Sequence, residues 1–382
     1  MRIGITCEAS TGGSGILATE LGMELGKRGH EVHFVTIETP VRLSRFQENV
    51  YTHSVDMITY PLFRIPPYTL ALASKISEVA EEFDIEVWHA HYAVPNAVAA
   101  QLARDMLPKE RRFSLVTTLH GTDITLVGSH PSFYRTTRYG MESSNAVTAV
   151  SRWLSNETER EFHLTRPVQT IYNFIDLERF KPRPVNRAAL VRDDEKIIMH
   201  ISNFRPVKRV TDVVRAFRKM LDQVSARLIM LGDGPERIGA MGVARQLGIA
   251  DRITCLGNVE HVEELLPAAD LVFQPSEHES FGLVALEAMA CEVPVLVTAS
   301  GGITEVVEHG VSGCLCEVGD IDAMARYGVE ILSDPQRARE MGKRGRERAI
   351  QEFSPDRIVG EYEALYGELI QKRPELTGPS HS

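Results

Sequence analysis

The chain repeats one unit along its length: a short apolar strand, a glycine-bearing turn, then a helix. That repetition constrains it to parallel sheets with helices packed on both faces. In the first half the strand-like runs are Ile3–Cys7, Val32–Thr36, Ile85–Ala90, Leu115–Leu119 and Ala146–Val150. The helix Gly15 to Lys27 closes on Arg28-Gly29-His30, a glycine C-cap. A second set begins at Lys196: Ile197–Ser202, Arg227–Leu231, Ile253–Leu256, Leu271–Gln274, Val295–Val297 and Cys314–Cys316. The Pro-rich, charged stretch Phe180-Lys-Pro-Arg-Pro-Val-Asn-Arg187 between the sets suits a linker. No short repeat runs through the chain, so two similar folds are expected rather than an array.

The fold class expected is therefore α/β, with two doubly wound, Rossmann-like domains spanning residues 1–175 and 176–355. Residues 356–372 carry helical apolar spacing (Ile358, Val359, Tyr362, Leu365, Tyr366, Leu369), and this helix is expected to pack back towards the N-terminal domain. The small, polar tail 373–382 is expected to be disordered. Two such domains facing each other would turn the carboxyl edges of both sheets to a shared cleft, a favoured place for a ligand.

A net charge of −10 argues against a nucleic-acid partner, whose affinity rests on basic patches. No apolar run approaches a membrane span. The opening Met1-Arg-Ile-Gly-Ile-Thr-Cys7 reads as a strand and not as a signal peptide, so a cytoplasmic protein is expected. The five cysteines lack zinc-like pairing; Cys7, Cys255 and Cys291 sit among apolar residues as small core hydrophobes. Asp320 and Asp322 open a helix and read as capping residues rather than a metal motif, so neither metal nor cofactor is expected.

Four segments fall where strands end. Gly12-Gly13-Ser14-Gly15 follows the first strand and opens the first helix, where glycines allow close approach to an oxyanion. On that motif alone, phosphate binding and a plain tight turn both stay open. Thr117-Thr118-Leu-His120-Gly121-Thr122-Asp123 places a histidine and several polar side chains at a second strand end. Ser202-Asn203-Phe-Arg205-Pro-Val-Lys208-Arg209 gathers three cations over five residues, suited to a diphosphate leaving group. Glu279-Ser-Phe281-Gly282-Leu283-Val-Ala-Leu-Glu287 sets two carboxylates eight positions apart around a helix start, a sugar-hydroxyl and phosphate arrangement in one segment.

With Gly232-Asp-Gly-Pro235 and Gly301-Gly302-Ile-Thr-Glu305, these segments resemble, in order and over essentially the whole chain, the retaining GT-B glycosyltransferases marked by an E-x7-E motif. The resemblance implies Glu279 near the hydroxyls of the transferred sugar, Glu287 on the nucleotide ribose and His120 beside the sugar. It implies Lys208 on the diphosphate and Gly13 against the β-phosphate. The Phe281, Gly282 and Leu283 segment would also meet the diphosphate. Most members carry an arginine five residues before the lysine. Here that position is Asn203, and Arg205 is the candidate replacement for the missing charge.

Several stretches, among them His89-Ala-His-Tyr92, Val116–Asp123, Ile171-Tyr-Asn-Phe-Ile-Asp176 and Ser202–Arg205, are similar to one branch of that family. Members of this branch transfer N-acetylglucosamine from UDP-GlcNAc to L-malate, the first step of bacillithiol biosynthesis. The resemblance implies a malate site from Ser14, Tyr92, Thr118, Arg138 and Asn173, with Arg138 pairing with a carboxylate. It further implies metal-independent front-face displacement. The sequence leaves open a homo-oligomer, a different acceptor such as a lipid or inositol phosphate, a UDP-GlcNAc 2-epimerase and a non-enzymatic sugar-nucleotide sensor. The lipid alternative finds only Arg42, Arg45 and Arg64 over its expected basic stretch.

Overall fold

The computed structural model describes residues 1–8, 13–40, 43, 47–57, 66–192 and 194–372. Gly12, the Arg42, Arg45 and Arg64 positions and the tail 373–382 lie outside the described residues. The chain divides into two compact units, Met1–Asn173 together with the segment that starts at Pro355, and Phe174–Ser354.

The N-terminal unit is built on β1 (Arg2–Thr6), β2 (Glu31–Thr36), β3 (Val50–Ser54), β4 (Val87–His91), β5 (Ser114–Leu119), β6 (Ala146–Ala149) and β7 (Gln169–Thr170). These form one sheet in the order β3-β2-β1-β4-β5-β6-β7, with every neighbouring pair parallel. The strand order reverses between β1 and β4, the switch point at which open α/β sheets bind ligands. The inner strands are apolar runs because helices bury both their faces. β3 and β7 carry no such signal in the sequence, for the converse reason. β3 is a half-exposed edge strand, Val-Tyr-Thr-His-Ser, and β7 is only two residues long.

The C-terminal unit repeats the arrangement with β8 (Lys196–Ile201), β9 (Ala226–Leu231), β10 (Ile253–Gly257), β11 (Leu271–Gln274), β12 (Val295–Thr298) and β13 (Cys314–Cys316). Its order is β10-β9-β8-β11-β12-β13, again all parallel, with the switch between β8 and β11. Cys314 and Cys316 turn their side chains into the core while Leu315 between them is half-buried. Asp320 accepts the Ala323 N–H at 2.9 Å and so caps the helix Ile321–Ser333.

In the N-terminal unit the helix Pro355–Gln371 buries Ile358, Val359, Tyr362, Leu365 and Tyr366, the expected apolar stripe. It joins the sheet through hydroxyls as well as apolar contact. Tyr366 Oη lies 2.6 Å from His89 Nδ1, and His89 Nε2 lies 2.6 Å from Thr118 Oγ1. Thr118 Oγ1 in turn meets Thr148 Oγ1 at 2.6 Å and Tyr362 Oη at 3.3 Å. Every member is buried, so each polar atom depends on its neighbour for a partner. Replacing Tyr366 with Phe strips the partner from a buried imidazole nitrogen. Tyr366→Phe is expected to destabilise the protein by about 1–3 kcal/mol, read as a lower urea midpoint at unchanged slope.

Candidate functional site

In the C-terminal unit the two loops leaving β8 and β11 flank the switch point, and the backbone ties them together. The Glu277 N–H donates to the Val207 carbonyl at 2.7 Å. The first loop is pressed from behind by Gly232-Asp-Gly-Pro235. A Cβ at Gly234 would stand 2.2 Å from the Asn203 carbonyl oxygen, and one at Gly232 would stand 1.8 Å from that of Ser202. This turn is a close-packed support for the basic loop, a role its sequence did not reveal. The second loop is fixed from the other side. Glu279 forms a parallel bridge with Gly301, and its carbonyl accepts the Gly302 N–H at 2.8 Å. Gly301 has φ +83°, and a Cβ there would meet the Glu279 carbonyl at 2.2 Å, so only glycine serves.

These restraints bring Lys208 and Glu279 together across 71 residues of chain. Lys208 Nζ donates to Glu279 Oε1 at 2.5 Å, both side chains largely shielded from solvent. Beneath them His200 is fully buried. Its Nδ1 lies 2.9 Å from the Phe273 carbonyl and its Nε2 lies 2.8 Å from Ser202 Oγ. Burial lowers its pKa to about 4, so it stays neutral. Gly282, at φ +100°, caps the helix Leu283–Ala290, and Glu287 is half-buried one turn inside it. Free N–H groups at this helix start offer an anion site next to the ion pair.

The other expected residues of this unit are placed less uniformly. Asn203 and Arg205 are exposed, and the Arg205 guanidinium has no side-chain partner among the described residues. Arg209 is engaged elsewhere: its Nε meets Asp212 Oδ2 at 2.6 Å, so of the three cations two are ion-paired, Lys208 with Glu279 and Arg209 with Asp212. The Phe281 side chain points into the core. It is buried edge-on against Phe353, with ring centroids 5.5 Å apart, and that position can offer only backbone.

In the N-terminal unit the switch point gathers hydroxyls and imidazoles, with the carboxylates of Glu8 and Asp123 among them. Ser14, second residue of the helix Gly13–Lys27, donates to Tyr92 Oη at 2.8 Å, and Thr122 Oγ1 stands 3.4 Å from the same oxygen. Gly13 is exposed at that helix start. Tyr92 takes φ +79°, a strained conformation for an aromatic residue and of the sort found where function fixes a side chain. Asp123 accepts the N–H groups of His120 at 3.1 Å, Gly121 at 2.8 Å and Ala93 at 3.4 Å, which binds the β4 and β5 loops together. Burial still dominates its titration and raises its pKa to about 6. His120 Nε2 lies 2.9 Å from His91 Nδ1, a contact the sequence did not suggest.

The side chains of three acceptor-site expectations form no hydrogen bond with that group among the described residues, although the Tyr92 N–H donates to the Thr118 carbonyl at 3.0 Å. The Thr118 hydroxyl is buried in the tyrosine–histidine chain beneath the helix Pro355–Gln371 and faces no solvent. Arg138 lies against Glu142 at 3.7 Å and the His163 carbonyl at 3.4 Å. An exposed pair of this kind is worth at most about 1 kcal/mol, so a ligand carboxylate could replace it. Asn173 is buried at the end of the unit. Among the described residues no group of three or more His, Cys, Asp or Glu side chains could hold a metal ion, and no helix is long and apolar enough to cross a membrane.

Comparison with known proteins bears on this geometry. The family model described as Glycosyltransferase Family 4 matches residues 11–179, and the one described as Glycosyl transferases group 1 matches residues 183–348. The chain is 46% identical over 374 residues to the N-acetyl-alpha-D-glucosaminyl L-malate synthase of Bacillus anthracis, covering 97% of this chain and 98% of that one. Among solved structures, Anabaena Alr3699/HepE in complex with UDP and glucose gives a TM-score of 0.82 at 21% identity, covering 96% of this chain and 99% of that one. A glycosyltransferase from Rickettsia africae ESF-5 gives 0.80 at 19% identity, covering 97% and 99%. At such identities the likeness is one of fold.

The buried imidazoles set a pH dependence. Burial lowers the pKa of His89 and of His120 to about 3, and that of His91 well below 6.5. All three are neutral in both folded and unfolded chains above pH 6.5. Below it the unfolded chain takes up protons that the folded one refuses, so stability falls as pH drops from 6.5 towards 3, by up to about 1.4 kcal/mol per pH unit for each group. Asp123 opposes this with a single proton, because its folded pKa lies above 3.8 and acidification favours its folded form between about 6 and 3.8. These imidazoles, joined by His200 and His53, both lowered to about 4, outweigh Asp123 and Glu8, whose pKa burial also raises. Urea midpoints are expected to fall steadily from pH 6.5 down to about pH 5, measured by fluorescence at fixed ionic strength.

Proposed function

This chain belongs to the GT-B glycosyltransferases that join a family 4 domain to a group 1 domain, and on that premise we propose that it transfers N-acetylglucosamine from UDP-GlcNAc to the hydroxyl of L-malate, with retention and without a metal. The observation that carries the reading is the Lys208–Glu279 pair, held at the switch point beside the helix start at Gly282. A cation, a carboxylate and free backbone N–H groups there suit a sugar diphosphate. The similarity to the Bacillus anthracis synthase supports the choice of donor and acceptor, and with it a place at the first step of bacillithiol biosynthesis.

In this reading the C-terminal unit holds the donor. Lys208, with Arg205 in place of the arginine absent at Asn203, neutralises the diphosphate as charge develops on it. The helix start at Gly282 and Leu283 binds phosphate oxygens, Glu287 takes the ribose hydroxyls and Glu279 the sugar hydroxyls. The N-terminal unit holds the acceptor: the hydroxyls of Ser14 and Tyr92 and the Asn173 amide bind malate, and Arg138 exchanges Glu142 for a malate carboxylate. Gly13 approaches the β-phosphate and His120 the sugar, while Thr118 acts from behind by holding the end of β5.

The step is a front-face displacement. The bond from C1 to the phosphate oxygen breaks and its electron pair leaves on UDP. The malate hydroxyl oxygen bonds to C1 from the same face, and its proton passes to the departing β-phosphate oxygen. The protein supplies position and charge, and no covalent intermediate forms.

UDP release from UDP-GlcNAc is expected to require L-malate, to persist in EDTA and to yield an α-linked product by NMR. Release independent of malate would turn the reading to another acceptor or to an epimerase. Lys208→Met is expected to lower kcat by about 10²–10³-fold, the usual loss of one charge-stabilising donor. A change confined to KM would remove Lys208 from the reacting diphosphate.

A further inference from the structure

The buried face of β4 and β5 carries more histidine than a sheet needs for packing. His89, His91 and His120 follow one another on the face covered by the helix Pro355–Gln371, since His91 pairs in register with Thr118 and His120 lies two residues beyond it. The His89 and His91 rings meet at a tilt with centroids 4.2 Å apart, and those of His91 and His120 stack at 5.1 Å. His89 is held by Tyr366 and Thr118, and the Asn96 amide donates to the His91 carbonyl at 2.6 Å. His91 is therefore fixed at its backbone by Asn96, and its ring lies between those of His89 and His120.

The two nitrogens of His91 are not equivalent. Nδ1 faces His120 Nε2 at 2.9 Å, while Nε2 is buried with no hydrogen-bond partner among the described residues. One proton must lie in the His91–His120 contact. If it sat on His120 Nε2, neutral His91 would carry its own proton on Nε2, a buried N–H donor without an acceptor. Native structures avoid such orphaned donors. If it sits on His91 Nδ1, the orphan is only a lone pair, and His120 Nε2 accepts. We propose that His91 is a positioning residue that donates from Nδ1 to His120 Nε2, and so fixes His120 as the tautomer whose Nδ1–H is offered to the substrate sugar.

This role rests on the proposed function, in which His120 meets the sugar. Burial keeps both rings neutral at physiological pH, so a choice of tautomer exists for His91 to make. A donor fixed at Nδ1 fits a sugar hydroxyl that accepts from it. The other tautomer would present a lone pair there and would bind only a hydroxyl turned the opposite way. The tautomer is then part of the site's specificity, set by a residue that touches no substrate.

The test begins with the unaltered protein labelled with ¹⁵N in its histidine rings. Long-range ¹⁵N–¹H correlation is expected to show His91 and His120 both protonated at Nδ1, with His120 assigned by the signal lost in His120→Ala. Protonation of His120 at Nε2 overturns the proposal, whatever the variants do. Two variants then separate positioning from packing. His91→Asn can place an amide nitrogen where Nδ1 was and is expected to keep kcat within about threefold. His91→Gln extends its amide towards the Nε2 position and is expected to lower kcat about tenfold at nearly unchanged donor KM, with His120 divided between tautomers. Equal loss in both variants with the His120 tautomer intact would make His91 a packing residue and overturn the proposal. If neither variant folds, the tautomer in the unaltered protein decides alone. Full turnover by His120→Ala would instead remove His120 from the sugar, a failure of the underlying reading that leaves the measured tautomer standing.

Discussion

The contact between Lys208 and Glu279 is the constraint around which the C-terminal unit is arranged. Removing two opposite charges from water is expensive, and their attraction seldom returns more than it costs. Stability therefore does not explain the pair. Its surroundings show how the fold holds it: Gly232 and Gly234 press the loop after β8, Gly301 clasps the loop after β11, and a backbone hydrogen bond joins the loops at Val207 and Glu277. Each support would be lost with any larger side chain at the glycine. The result is a cation and a carboxylate already desolvated and aimed, so that a ligand replaces one partner by another without reorganising the loops.

The N-terminal unit solves the same topological problem with hydrogen-bonding groups rather than an ion pair. Around its switch point the tyrosine and serine hydroxyls bond to one another, and desolvation keeps the imidazoles of His89, His91 and His120 neutral. Of the carboxylates there, Glu8 follows β1 half-buried, and Asp123 faces backbone N–H groups and fixes loops. Such a network positions hydrogen-bond donors and acceptors finely but is costly to leave half-satisfied. The helix Pro355–Gln371 completes it, with Tyr362 and Tyr366 supplying hydroxyls to Thr118 and His89.

What could be read in the sequence was whatever depends on local order. Apolar runs buried on both faces gave the inner strands, and the half-buried β3 and two-residue β7 lacked that signal. The spacing of Glu279 and Glu287 and the glycine before the helix were legible because one segment carries them. Contacts between segments were not. Nothing in the order of residues says that Lys208 meets Glu279, that Gly234 touches the Asn203 carbonyl or that His91 faces His120. The engagement of Arg209 with Asp212 three residues on was visible in principle, as an i, i+3 pair. Phe281 and Thr118 show the opposite limit: a residue type apt for binding can be turned inward, Phe281 against Phe353 and Thr118 from a strand that is buried on both faces.

Two sheets with the same strand order thus carry different chemistry at equivalent places, which is why the fold alone could not name the reaction. The difference lies in the residues that leave the strands on either side of each switch. β8 and β11 release a lysine and a glutamate, whereas β1 and β4 release a glycine-led helix and a strained tyrosine. Fixed charge is of most use where charge develops during a reaction, as on a departing diphosphate. An alcohol nucleophile needs orientation, and a cation at its oxygen would lower its nucleophilicity. In the proposed transfer, then, the edge with the Lys208–Glu279 pair suits the departing diphosphate, and the edge rich in hydroxyls and imidazoles suits the orientation of the attacking hydroxyl.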